Sequence, residues 1–213
     1  YNKKIKMKIS YAVTVCNEFD EIQKLIPFLL ENIREEDEIV VQQDNTEIHG
    51  GVYTYLTSHK LKDNIKFIQT PLNNDFGNFK NNLTEACSGD YIFQIDADEI
   101  PHKSLLHNLP VLLESNSVEM LRVPRVNTVN GLTENHINKW GWRVNENGWV
   151  NWPDPQWRIY KRTPEIKWRN KVHEVIDGYK THADLPYEEE WCLYHPKDIK
   201  RQEKQNKFYE TLL

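Results

Sequence analysis

The chain has 213 residues and a net charge of -5, from 27 basic and 32 acidic side chains. That length supports one sizeable core, and the acidic balance argues against wholesale wrapping of nucleic acid, so no stable nucleic-acid complex is expected. Three cysteines, Cys16, Cys87 and Cys192, are too few and too scattered for a disulfide framework or a zinc site, which fits a reducing, cytoplasmic setting. The longest apolar runs are strand-sized, and the basic start Tyr1 to Lys8 lacks the apolar stretch of a secretory signal, so neither a membrane span nor export is expected.

Along the first half, strand-like runs alternate with helical ones, the pattern of a mostly parallel sheet covered by helices. Ile9 to Val15 reads as a strand, followed by Phe19, Ile22, Leu25, Ile26 and Leu29 at helical spacing. Glu38 to Gln42 reads as the second strand, Val52 to His59 as a helix, and Ile65 to Gln69 as the third strand. Phe79 to Cys87 is a helix stopped by Ser88-Gly89, and Tyr91 to Ile95 is the fourth strand. In such sheets ligands bind beyond the carboxyl ends of the strands. Those ends carry Cys16-Asn17-Glu18, Gln43-Asp44-Asn45 and Asp96-Ala97-Asp98-Glu99, three polar clusters expected to face one crevice.

The last cluster carries the most chemistry. An apolar, β-favouring segment runs straight into Asp96, Asp98 and Glu99, a costly density of negative charge unless a cation sits there. Carboxylate oxygens suit Mg²⁺ or Mn²⁺, and Mg²⁺ is commonly held by one or two protein carboxylates while phosphate oxygens fill other positions. A metal bound together with a phosphorylated ligand is therefore expected.

An ordered set of motifs resembles the GT-A glycosyltransferases, and within them the inverting family-2 enzymes of the lipopolysaccharide-core type. The set comprises Val15-Cys16-Asn17-Glu18 after the first strand, Gln43-Asp44 at the family's acidic pair, and Lys80-Asn81 at its Arg-Asn helix. It continues with Ser88-Gly89-Asp90, the DxD-type motif Asp96-Ala97-Asp98, then Arg158-Ile159-Tyr160 and Val172-His173-Glu174, covering about Lys8 to Glu174. The resemblance implies a Rossmann-like α/β domain over residues 1–195 with a small second sheet. Residues 1–100 would bind the nucleotide sugar, residues 101–195 the acceptor, and residues 196–213 would form a C-terminal helical extension. Gln43 and Lys80 depart from the usual acid and arginine, and a lysine neutralises phosphate without the bidentate fork of arginine.

The resemblance also implies an activity: metal-dependent transfer of a hexose from a nucleotide-diphosphate sugar, such as UDP-glucose, to a hydroxyl acceptor with inversion. By the same analogy Val15, Asn17, Glu18 and Asp44 lie near the nucleobase and ribose, Lys80 near the base or phosphates, Asp96 and Ala97 near the ribose, and Mn²⁺ or Mg²⁺ on Asp98, with Asp96 directly or through water and nucleotide. His173 is the candidate nitrogen ligand and His195 its rival. Such transfer needs the leaving diphosphate neutralised and a proton removed from the attacking hydroxyl. Asp154, between Pro153 and Pro155, is the first candidate base, with Glu134 and Glu99 as alternatives, and Glu174 is a further catalytic candidate that orients the acceptor or the histidine.

Six of the seven tryptophans lie between Trp140 and Trp168. Aromatic faces stack on sugars or pack a second sheet, and Trp140, Trp142 and Trp149 are the candidates for acceptor contact. Beyond His195, Lys197, Lys200, Arg201, Lys204 and Lys207 accompany a thin apolar stripe of Ile199, Phe208, Leu212 and Leu213, expected as a charged helix. A sugar nucleotidyltransferase would need a glycine-rich loop after the first strand, and Val15 to Phe19 has no glycine. A non-catalytic carbohydrate- or metal-binding module is the remaining alternative, although the acidic cluster does not have EF-hand spacing.

Overall fold

The computed structural model describes residues 7–58 and 65–210. The start of the chain up to residue 6, the expected helix end at His59, and Leu212 and Leu213 fall outside the described residues.

The alternation read from the first half becomes three βα units and a fourth strand. Strand β1 (Ile9–Val15) leads to helix α1 (Phe19–Asn32), β2 (Glu38–Asp44) to α2 (Gly50–Thr57), and β3 (Ile65–Thr70) to α3 (Phe76–Ala86), before β4 (Tyr91–Asp96). Helix α3 starts three residues before Phe79 because Asp75 caps it, its side chain accepting from Asn78 N at 2.9 Å. The second half holds β5 (Ile100–Pro101), α4 (Lys103–Ser115), β6 (Met120–Val123), β7 (Arg125–Asn130), α5 (Glu134–Trp140) and β8 (Gln156–Lys161). It closes with β9 (Lys167–Arg169), β10 (Val175–Asp177), β11 (His182–Asp184), β12 (Leu193–Asp198) and α6 (Ile199–Glu210).

The central sheet runs β11-β6-β8-β4-β1-β2-β3. Strands β4, β1, β2 and β3 are mutually parallel, whereas β8 lies antiparallel between β4 and β6. Parallel strands covered on both faces carry continuous apolar runs, and β1 is buried at every position but Thr14. Tyr11, Val13 and Phe93 pack on one face with Ile22, Leu25 and Leu29 of α1 and Leu105 and Leu109 of α4. Ala12, Val40 and Ile92 pack on the other with Leu83 of α3, Tyr160 and Trp168.

A second sheet, β5-β12-β7, pairs β12 antiparallel with β5 and parallel with β7. Its register places His195 beside Asn127. In the first sheet the chain order reverses between β1 and β4, where Thr14 is level with Asp96. That is the switch point at which open α/β sheets leave a crevice, and the second sheet stands at its edge.

Candidate active site

The crevice is a cavity of about 1000 Å³ at the carboxyl ends of the parallel strands. Its lining includes Val15, Cys16, Asn17 and Glu18 after β1, Asp44 ending β2, Lys80 on α3, and Asp96, Ala97 and Asp98 after β4. The second half contributes Arg125, Asn127, Trp142, Asp154, Arg158, His173, Glu174 and His195, and α6 contributes Lys200, Arg201 and Lys204. The three polar strand ends read from the sequence therefore share one cavity.

Each acid is held by named donors. Asp96 takes a hydrogen bond from Thr14 Oγ1 at 2.8 Å and an ion pair from Arg158 at 2.7 Å, with Lys80 Nζ at 3.8 Å. Burial alone would raise its pKa, but the Arg158 and Lys80 cations and the Thr14 hydroxyl outweigh that and hold it far below the usual carboxylate range. Asp98 Oδ2 lies 3.3 Å from His195 Nε2 and 3.3 Å from an Arg201 guanidinium nitrogen. Burial again opposes ionisation, and contact with His195 prevails to lower the Asp98 pKa.

Asn127 determines how His195 is used. Its amide nitrogen donates to Asp154 Oδ2 at 2.6 Å, so its amide oxygen faces His195 Nδ1 at 2.8 Å and must accept from Nδ1–H. His195 Nε2 is thereby left directed at Asp98 Oδ2, 3.3 Å away.

Among the described residues no group of three or more His, Cys, Asp or Glu side chains is arranged to hold an ion by itself. The Asp98 and His195 donor atoms, 3.3 Å apart, nevertheless fit two positions of one octahedral ion, whose neighbouring ligands at about 2.1 Å lie about 3 Å apart. That donor set suits Mg²⁺ or Mn²⁺ completed by phosphate and water oxygens. The other expected ligand, Asp96, is committed to Arg158, Lys80 and Thr14. His173 lines the same cavity at an exposed position with φ of 54°, in the loop before β10.

Asp154 follows β7 in space rather than in sequence. Arg125 donates to its Oδ2 from Nε at 2.9 Å and lies at 2.8 Å through a terminal nitrogen, and Gln156 Nε2 donates to Oδ1 at 2.9 Å. Its side chain keeps 25% of its exposure, toward the cavity that it lines. The two alternative bases stand elsewhere. Glu134 opens α5 at an exposed position outside the cavity lining, and Glu99 is fully buried between Arg125 and Arg158.

The remaining sequence candidates have structural partners of their own. Glu174 accepts from Lys80 Nζ at 2.6 Å, and that ammonium lies 4.6 Å from the Trp168 ring centroid, a cation–π contact. Lys80 thus bridges Glu174 and Asp96. Glu18 Oε2 accepts from Cys16 N at 2.7 Å and Asn17 N at 3.1 Å, fixing the loop after β1, while Oε1 meets Arg201 at 3.1 Å. Asp44 Oδ1 accepts from Thr46 N, Thr46 Oγ1 and Leu72 N at 2.7–3.0 Å, so it is a turn residue as well as a lining one. Trp142 lines the cavity with Trp140 packed on it at 4.7 Å, whereas Trp149 packs on Trp152 at 4.8 Å. Trp168 is core.

Sequence reasoning missed the roles of Arg125, Asn127, Gln156, Arg158 and Arg201. A signal existed for four of them: Arg125-Val126-Asn127 and Asp154-Pro155-Gln156-Trp157-Arg158 alternate polar positions at the strand period, which puts each set on one face. Arg201 carried no such signal.

A sequence profile of glycosyl transferase family 2 matches residues 10–181. No curated protein matches. Among solved structures, residues 1–349 of Staphylococcus aureus TarS in complex with UDP-GlcNAc are similar at 17% identity and a TM-score of 0.64, over 90% of this chain and 59% of that one. The UDP complex of the same segment matches at 17% identity and 0.62, over 89% and 60%. A longer TarS structure matches at 16% identity and 0.61, over 89% of this chain and 37% of that one. The chain therefore spans less than two thirds of each of these structures, which share its fold. With the acidic ends of β1, β2 and β4 on one crevice and a family match over most of its length, the chain belongs to glycosyl transferase family 2 and has the GT-A fold.

Proposed function

We propose that this glycosyltransferase moves a hexose from a UDP-sugar, such as UDP-glucose, to a hydroxyl acceptor (a saccharide, lipid or other alcohol) by metal-dependent single displacement with inversion. The observation that carries this reading is that the Asp98–His195 pair and Asp154 open on one cavity and are joined through Asn127. The UDP and UDP-GlcNAc complexes of the TarS structures support the choice of nucleotide. A cavity of about 1000 Å³ is large enough for a ligand of that size.

In this reading Asp98 and His195, rather than His173, hold Mn²⁺ or Mg²⁺, with Asp96 turned toward the ribose. The ion supplies charge neutralisation for the leaving diphosphate. The protein's residues do the rest. The loop from Val15 to Glu18 and Asp44 border the uridine, with Glu18 acting through the backbone it fixes. Lys80, held between Glu174 and Asp96, stands near the diphosphate, which makes Glu174 a positioning residue. Asp154 takes the proton of the acceptor hydroxyl as its oxygen bonds to the anomeric carbon and the bond to the diphosphate breaks with its electron pair. Trp142 borders the acceptor. Residues 1–100 thus supply the donor contacts and residues 101–195 the base. The scarcity of cysteine supports a cytoplasmic setting.

Asp154→Asn tests the assignment of the base. Removing a general base costs about 10²- to 10⁴-fold in rate, so kcat for transfer falls by that range while the Kd for UDP with Mn²⁺ is unchanged. Full turnover in the variant would refute it.

A further inference from the structure

We propose that Glu99 is a positioning residue that sets the donor-side and acceptor-side machinery in one spatial relation, an inference that rests on the reading of Asp154 as the base. Glu99 is 0% exposed, so it touches neither substrate nor solvent. Its Oε1 takes Arg158 at 2.7 Å and Arg125 at 3.1 Å, and its Oε2 takes the backbone N–H of Asp96 at 3.1 Å. Each arginine then reaches a functional carboxylate: Arg158 holds Asp96 Oδ2 at 2.7 Å, and Arg125 holds Asp154 Oδ2 at 2.8 Å. The result is a chain of alternating charge, Asp154, Arg125, Glu99, Arg158, Asp96.

The chain crosses between two sheets. Asp96 and Arg158 belong to the central sheet, on β4 and β8, whereas Arg125 starts β7 in the second sheet. Without the central carboxylate, Arg125 and Arg158 would be buried like charges and each would lose one of its two carboxylate partners. A carboxylate bonded to two guanidiniums and a backbone amide is directionally specified, and an uncharged amide at that place is not equivalent. Glu99 thereby ties the position of the base to the position of the donor carboxylate.

The test separates positioning from mere support of the fold. Glu99→Gln, at the centre of the chain, is expected to raise the UDP Kd and lower kcat together, each about tenfold. Because loss of a buried carboxylate threatens folding, Arg125→Gln is the second variant. It breaks only the branch to Asp154 and is expected to lower kcat about tenfold, with the UDP Kd unchanged. The readout that a structural role would not move is the double variant. In the Asp154→Asn background, Arg125→Gln produces no further loss of kcat, measured as UDP release from the UDP-sugar, if Arg125 acts only by placing Asp154. Losses that multiply in the double variant overturn the proposal while leaving the base assignment standing. Full activity of Asp154→Asn alone would instead remove the base assignment and the proposal with it.

Discussion

Asn127 shows how much of the site is decided by a single short side chain. Its two amide atoms are both spoken for, the nitrogen by Asp154 at 2.6 Å and the oxygen by His195 at 2.8 Å. Groups that orient a metal-ligating histidine from behind typically matter by about 10- to 100-fold in affinity or activity. Asn127→Ala is accordingly expected to weaken Mn²⁺-dependent UDP binding by that factor in calorimetry, and an unchanged Kd would show that His195 needs no support from Asn127. At this scale the sequence was readable where chemistry is local. Asp96, Ala97 and Asp98 stand together in the chain, and Asp154 is marked by its flanking prolines. Asn127 was not readable because its partners are 27 and 68 residues away: His195 meets it through pairing of β7 with β12, and Asp154 reaches it from the segment before β8. Arg158 was visible as part of a family motif, but its two carboxylate partners were not.

Elements explain why the site keeps its shape. The loop carrying His173 and Glu174 is set against α3 at Gly77, whose N–H donates to Asn170 O at 3.2 Å. A Cβ at Gly77 would lie 2.6 Å from that backbone oxygen. Gly77→Ala should therefore push the loop outward and destabilise the fold by about 1–3 kcal/mol, read as a lower Tm. A Tm equal to wild type would mean that the loop yields freely. At the opposite end of the strands, Glu38 on β2 accepts from Ser10 Oγ, Ser88 N and Lys8 Nζ, joining β1, β2 and the turn before β4. Burial works against its ionisation, but these donors prevail and lower its pKa to about 2 from 4.5. A depressed folded-state pKa contributes stability that is complete above the unfolded value and is lost as pH falls through the folded one. Stability should thus decline from pH 4.5 toward 2, and Glu38→Gln should flatten that part of the Tm profile. A variant with the wild-type slope would contradict the assignment. The long periodic segments were legible in advance, α1 and β1 to β4 among them. Strands β10 and β11 were not, since three residues carry too little of the period-two pattern to be distinguished from loop.

For the molecule as a whole, the proposed mechanism draws on two sheets kept in register. The central sheet supplies Asp96 at its switch point, and the second sheet supplies Arg125, Asn127 and His195 from paired strands. Two routes join the sheets across the cavity floor, one through Glu99 and its arginines and the other through His195 and Asn127. Helix α6 closes a third side, where Arg201 meets Glu18, Glu21 and Asp98 within 3.3 Å. Among the described residues no helix is long and apolar enough to cross a membrane. The fold was largely legible from the alternation of strands and helices, whereas the joining of the sheets was not, because it depends on contacts that no local pattern encodes.

The measurement that bears most directly on the central claim is calorimetric titration of the chain with UDP, with and without Mn²⁺, repeated on Asp98→Ala. UDP binding is expected to require Mn²⁺ and to disappear in the variant. UDP binding of equal strength without the ion, or retained in Asp98→Ala, would contradict that claim.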